Sequence, residues 1–223
     1  MSGFNVPKIS DRVAIMGSNG TGKTQFGAWL LSIGYFDVQP YIIIDYKRDE
    51  LLNSSDRIKE IGVGEEPPKH PGLYIVHPRP RIDDAAMEGF LERVWERENI
   101  GLYFDEGYMV PDKAAFPAIL TQGRSKNIPS IVLSQRPAWI SRFVFSEANH
   151  YALFHLSDRD DRKEVRRFMP DHVDVNKALP KFHSWYYTRG EQNAVALSPV
   201  PGADEILERI ESRLVPPRSR KLI

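Results

Sequence analysis

Cysteine is missing altogether from the 223 residues, which excludes disulfides, thiolate metal sites and cysteine nucleophiles. Net charge is missing too, because 30 basic residues balance 30 acidic ones. A protein that coats a nucleic-acid duplex is usually basic overall. Any nucleic-acid contact must therefore be local, or made by a ring of subunits that concentrates a few cations in one channel. No apolar run approaches a membrane span, and the opening MSGFNVPKIS has no apolar core of signal-peptide length. The expectation is a protein without membrane insertion, in the cytoplasm. Internal repeats, low-complexity tracts and metal-ligand spacing among the six histidines are absent as well.

What is present is a chain 41% hydrophobic and 11% aromatic, a length and composition that suit one globular α/β domain. We expect a single domain over 1–223 with its core at about 10–200. Short arms are expected at both ends, MSGFNVPK in front and the basic, Pro-broken VPPRSRKLI behind. Five apolar runs read as buried strands: Arg12–Gly17, Pro40–Tyr46, Gly72–Pro78, Ile100–Glu106 and Ile128–Gln135. Helical spacing falls between them at Thr24–Ser32, Ile82–Glu98 and Ala114–Ser125. Alternating strands and helices predict a mostly parallel central sheet flanked by crossover helices. HYALFHL and FHSWYYTR are further strand candidates, and Asp158–Phe168 and Ala203–Leu214 are charged amphipathic helices. The first of these helices is expected to be a solvated face with opposite charges at helical spacing.

The stretch GSNGTGKTQ follows the first strand. Gly17, Gly22, Lys23 and Thr24 have the spacing G-x-x-x-x-G-K-[ST] of a P-loop. Glycines let backbone N–H groups converge on phosphate oxygens, and the next helix presents its positive end. The expected nucleotide-binding residues are Gly17, Ser18, Asn19, Gly20, Thr21, Gly22, Lys23, Thr24 and Gln25. Lys23 would reach the β- and γ-phosphates of ATP, and the Thr24 hydroxyl would ligate Mg²⁺.

The run IGLYFDE ends in two carboxylates. Asp105, at the end of a buried strand, takes the second metal-holding role, and Glu106 is placed to orient an attacking water. A small-molecule kinase has no need to activate water, so the pair points to hydrolysis coupled to work. Gln135 ends the last of the five strands in LSQRP, where it can sense the γ-phosphate. Arg124, in TQGRSKN, is either a plain helix-end charge or an arginine finger reaching into a neighbouring subunit's site. Asp45, Tyr46 and Lys47 read equally as a switch near the nucleotide or as the polar mouth of a loop. Tyr108 and Lys113 read as pore-facing DNA contacts or as a packed loop with a surface lysine. Arg166 and Arg167 lie on the solvated face or contact a neighbour, and HPRP at His77–Pro80 reads as a turn.

GSNGTGKT, IIIDYK, LYFDE and QGRSKNIPSIVLSQRP together resemble the motor core of the HerA/FtsK superfamily of DNA-pumping ATPases, over about Arg12–Pro137. The resemblance implies a RecA/ASCE-like P-loop fold with ATP and Mg²⁺ as cofactors. It gives Arg124 the role of trans-acting finger and Gln135 that of sensor, beside Glu106 as catalytic base. It implies double-stranded DNA as partner and a homo-oligomeric ring of about five or six subunits. The bare motor size is similar to the genome-packaging ATPases of membrane-containing viruses. That implies capsid or vertex partners and a place in the host cytoplasm or on the virion. Rival readings are a cellular or plasmid motor of the same superfamily, a P-loop small-molecule kinase, and an assembly ATPase that pumps no DNA. The kinase would need an Arg-rich lid and no Glu after Asp105.

Overall fold

Parallel strands are buried on both faces and need apolar residues at every position rather than at alternate ones. The runs RVAIM and YIIID meet that requirement and form β1 (Arg12–Met16) and β2 (Pro40–Asp45), buried throughout. The computed structural model describes residues 4–177 and 179–214. After β1 come α1 (Lys23–Ile33), β2, α2 (Glu50–Asn53), β3 (Lys59–Glu60), β4 (Gly72–Val76) and α3 (Asp84–Arg97). Next are β5 (Gly101–Asp105), α4 (Ala115–Gln122), β6 (Ser130–Ser134), α5 (Phe143–Ser146) and β7 (His150–Leu153). The described chain closes with α6 (Arg159–Val165), β8 (Ser184–Thr188), β9 (Val195–Leu197) and α7 (Ala203–Arg213).

One nine-stranded sheet takes the order β3-β4-β2-β5-β6-β1-β7-β8-β9. Pairing is parallel from β3 to β7, and β8 and β9 are added antiparallel. The C-terminal ends of β1, β2, β5 and β6 therefore share one edge of the sheet. β6 lies between β1 and β5 and pairs with both. Val13, Ile15, Ile43 and Tyr103 point to the face covered by Phe26, Trp29 and Leu30 of α1 and Ile206 and Ile210 of α7. Ala14, Met16, Ile42, Ile44 and Phe104 point to the other, under Phe90, Leu91 and Val94 of α3 and Phe116 and Ile119 of α4.

The described part of the front arm is not loose. Phe4 packs on Trp29 and Tyr186 with ring centroids 5.2 and 4.6 Å away, and Tyr186 Oη donates to the Asn5 carbonyl at 3.0 Å. The basic arm VPPRSRKLI lies outside the described residues. The solvated face expected of Asp158–Phe168 is corrected at one position. Asp161 is buried, accepts from the Ala138 N–H at 2.9 Å and pairs with Arg136 Nε at 3.1 Å, so it ties α6 to the end of β6.

Helix α1 lies so close to β5 that a side chain on Gly27 has no room. A Cβ there would sit 2.6 Å from Tyr103 Oη and 2.9 Å from its ring. The Tyr103 hydroxyl is fully buried without a hydrogen-bond partner among the described residues. We expect Gly27→Ala to destabilise the fold by about 1–3 kcal/mol through overpacking. Tyr103→Phe removes an unsatisfied buried hydroxyl and should be neutral or stabilising by about 1 kcal/mol. Combined, the two changes should cost less than their sum, because the hydroxyl is the nearest obstacle. Denaturant melts of all three variants check this, and strict additivity would contradict it.

Candidate active site

The loop between β1 and α1 hangs from two neighbouring strand ends. The Gly17 N–H donates to the Ser134 carbonyl at 3.2 Å, and the Ser18 N–H to the His155 carbonyl at 2.8 Å. Gly17 is required there, because a Cβ would come within 2.5 Å of Phe154 Cβ. Gly22 precedes α1 with φ 102°, a left-handed conformation that favours glycine. Helix α1 starts without a side-chain cap and without an acidic residue in its first turn. Its positive end is thus left for an anion. Lys23 is buried at the helix start, and its Nζ donates to the Ser18 carbonyl at 3.0 Å. Burial lowers its pKa below the ordinary lysine value, and the Glu106 charge works against that shift.

Across β6, the tip of β5 carries Asp105 and Glu106, both 2% exposed. The Asp105 carboxylate accepts no hydrogen bond and forms no ion pair among the described residues. Burial, then Glu106, then Asp45 push its carboxyl up to about 7. A buried carboxylate without a donor is a site that a cation stabilises. The oxygen donors at hand, Asp105 and the Thr24 hydroxyl, suit a hard divalent ion that also uses substrate phosphates. The described residues hold no cluster of three or more acidic or histidine ligands, as a dedicated protein cage would need.

Glu106 has φ 67°, left-handed for a residue with a side chain. Such a conformation costs on the order of 1–3 kcal/mol. Its cause lies one residue on: a Cβ on Gly107 would meet Val132 Cγ1 at 2.4 Å, so the chain turns hard against β6. Both Glu106 oxygens are engaged. Lys47 Nζ pairs with Oε1, and the Gln135 N–H donates to Oε2 at 3.3 Å. Gln135 Nε2 donates to Tyr108 Oη at 2.9 Å, so the side chain of Tyr108 is tied to the tip of β6.

Asp45 and Lys47 divide the work left open by the sequence. Fully buried Asp45 accepts from the N–H groups of Lys47, Arg48 and Asp49 at 3.0, 2.8 and 3.0 Å, and from Asn53 Nδ2 at 2.8 Å. It shapes the loop after β2, and that loop delivers Lys47 to Glu106. His77 belongs to the same structure, with Nδ1 3.2 Å from the Asp45 carbonyl.

Arg124 sits elsewhere. It follows α4 in the turn before β6, at the edge opposite the P-loop, exposed and without a side-chain partner among the described residues. The five residues of β6 alone span roughly 17 Å. It repels buried Arg12, whose pKa is lowered first by burial and to a lesser degree by the Arg124 charge. The fold thus gathers Lys23, Asp105, Glu106 and Gln135 at one edge and leaves Arg124 out of its own chain's site. Sequence reasoning missed the Lys47–Glu106 pair and the Tyr108–Gln135 bond. Only the cation two residues past the IIID strand hinted at the first.

A P-loop strand and a carboxylate-bearing strand separated by one strand with a polar tip define an additional-strand P-loop fold. No protein-family model matches the chain. It is 42% identical over 219 residues to DNA packaging ATPase P9 of Enterobacteria phage PRD1, covering 93% of this chain and 95% of that protein. The chain belongs to that family of viral DNA-packaging ATPases. The genome packaging NTPase B204 of Sulfolobus turreted icosahedral virus 2 superposes with TM-score 0.65 in complex with ATPγS. It is 16% identical, over 87% of this chain and all (100%) of that one. EssC ATPases 2 and 3 of Geobacillus thermodenitrificans give TM-score 0.60 at 16% identity, over 92% of this chain and 43% of that one.

Proposed function

We propose that this chain is the motor ATPase that drives double-stranded DNA into a viral capsid, working as a ring of about five or six copies. The observation that carries the ring is the position of Arg124. An exposed cation without a partner among the described residues, at the edge opposite its own P-loop, fits a finger for the next subunit's nucleotide. Lys23 would hold the β- and γ-phosphates. Thr24 and Asp105 would hold Mg²⁺, which when bound neutralises charge on the phosphates. Glu106 orients a water and takes its proton as the water oxygen bonds the γ-phosphorus. The bond to the β–γ bridging oxygen breaks, and ADP leaves with the electron pair. Gln135, hydrogen bonded through its N–H to Glu106, would report the γ-phosphate to the loop bearing Tyr108. Capsid or vertex proteins are the expected partners, in the host cytoplasm or on the virion. No helix of the described residues is long and apolar enough to cross a membrane.

Lys47 adds control over this step. An ion pair holds Glu106 away from water, and a change in the loop after β2 would release it. Lys47→Ala is expected to raise the basal ATPase rate severalfold and to shrink its stimulation by duplex DNA, while Lys47→Arg keeps both. A basal rate that falls in Lys47→Ala would contradict the latch. For the motor itself, the test is displacement of a third-strand oligonucleotide from a duplex. The wild type with ATP should displace it, and neither Glu106→Gln nor wild type with a non-hydrolysable analogue should.

A further inference from the structure

Phe182 is an apolar ring in a costly place. It is 43% exposed and belongs to neither core cluster. The segment Pro180–His183 is a tight turn closed by the His183 N–H on the Pro180 carbonyl at 3.0 Å. Phe182 occupies its third position with φ 64°. Glycine or asparagine takes that conformation with little strain, and phenylalanine does not. Neither burial nor turn geometry accounts for the side chain.

Its neighbour supplies the account. A Cβ on Gly22, the last residue of the phosphate loop, would lie 3.2 Å from Phe182 Cδ1. Lys181 Nζ stands 4.7 Å from the centre of the Phe182 ring. One helical turn further on, Gln25 Nε2 donates to the Pro201 carbonyl at 2.6 Å and pins the chain after β9 beside the same helix end. A nucleotide held by its phosphates in this loop carries its α-phosphate and nucleoside out over the first turn of α1. That is where an exposed aromatic ring and a cation are already in place.

We propose that Phe182 is the stacking platform for the base of the bound nucleotide, with Lys181 beside it. This base subsite rests on the ATPase reading above. Stacking needs only a π-face, so the ring distinguishes a nucleoside triphosphate from a bare triphosphate rather than one base from another. The strain at Phe182 is retained because a glycine there, though relaxed, would offer the base nothing.

The test compares binding of ATP and of inorganic tripolyphosphate, both with magnesium, by calorimetric titration. Phe182→Ala should weaken ATP about tenfold or more and leave tripolyphosphate unchanged. Phe182→Trp should bind ATP at least as tightly as the wild type. Phe182→Gly guards against a folding defect. It fits the turn, should melt no lower than the wild type, and should show the same selective loss of ATP. ATP binding at wild-type strength in Phe182→Ala and Phe182→Gly would overturn the proposal. So would equal weakening of ATP and tripolyphosphate, which would make the ring a mere support for the loop. Wild-type protein that binds neither ligand would overturn the ATPase reading, and the subsite with it.

Discussion

Glu106→Gln should bind ATP as the parent chain does and hydrolyse it about 10²–10⁴-fold more slowly. The fold should tolerate the change. The amide oxygen can still accept from the Gln135 N–H, and the left-handed turn at 106 depends on the crowding at Gly107, not on the carboxylate. What is lost is a group that can take a proton from water. The lost ion pair with Lys47 is partly exposed on the lysine side, so it costs little stability. Single-turnover hydrolysis separates this from a binding defect. Near-normal turnover would show that the tip of β5 does not hold the base.

Arg124→Ala carries the second large effect. As a helix-end charge it would be worth a few tenths of a kcal/mol, with hydrolysis untouched. As a finger its removal should slow hydrolysis about 10³-fold or more with ATP binding intact. Folding should not suffer, because the arginine makes no side-chain bond among the described residues and repels Arg12. The trans geometry permits a second measurement. Arg124→Ala subunits keep a sound Glu106, and Glu106→Gln subunits keep a sound finger. Where the first binds ATP beside the second, one complete site is rebuilt, so mixing two inactive proteins should restore activity. Full activity of Arg124→Ala alone would remove the finger and the shared site together.

The site was legible where chemistry demands a residue type at a fixed spacing. The P-loop glycines, Lys23, and the carboxylates ending an apolar run can be read without a structure. So can β1, β2, β4, β5, β6 and β7, strands that are apolar at nearly every position. Legibility failed where the cause is three-dimensional. Lys59–Glu60 is a two-residue, wholly exposed strand, and no periodicity marks it. Asp161 reads as one more charge on a charged helix, and only the packing of α6 against Arg136 buries it. Asp45 and Lys47 are adjacent in sequence to a clear strand. Yet the loop that separates their roles is closed by Asn53 and by three N–H groups that any sequence would possess. Phe182 reads in the sequence as the start of the strand FHSWYYTR, but that strand begins at Ser184 and Phe182 lies in the turn before it, against Gly22, 160 residues away (182 against 22).

The most direct measurement is the initial rate of ATP hydrolysis by the purified wild-type chain with magnesium, with and without duplex DNA. A packaging motor couples hydrolysis to the substrate it moves, so duplex DNA should raise the rate severalfold, and Glu106→Gln should stay inactive in both conditions. Equal wild-type rates with and without DNA would contradict the motor and leave an assembly ATPase that pumps nothing.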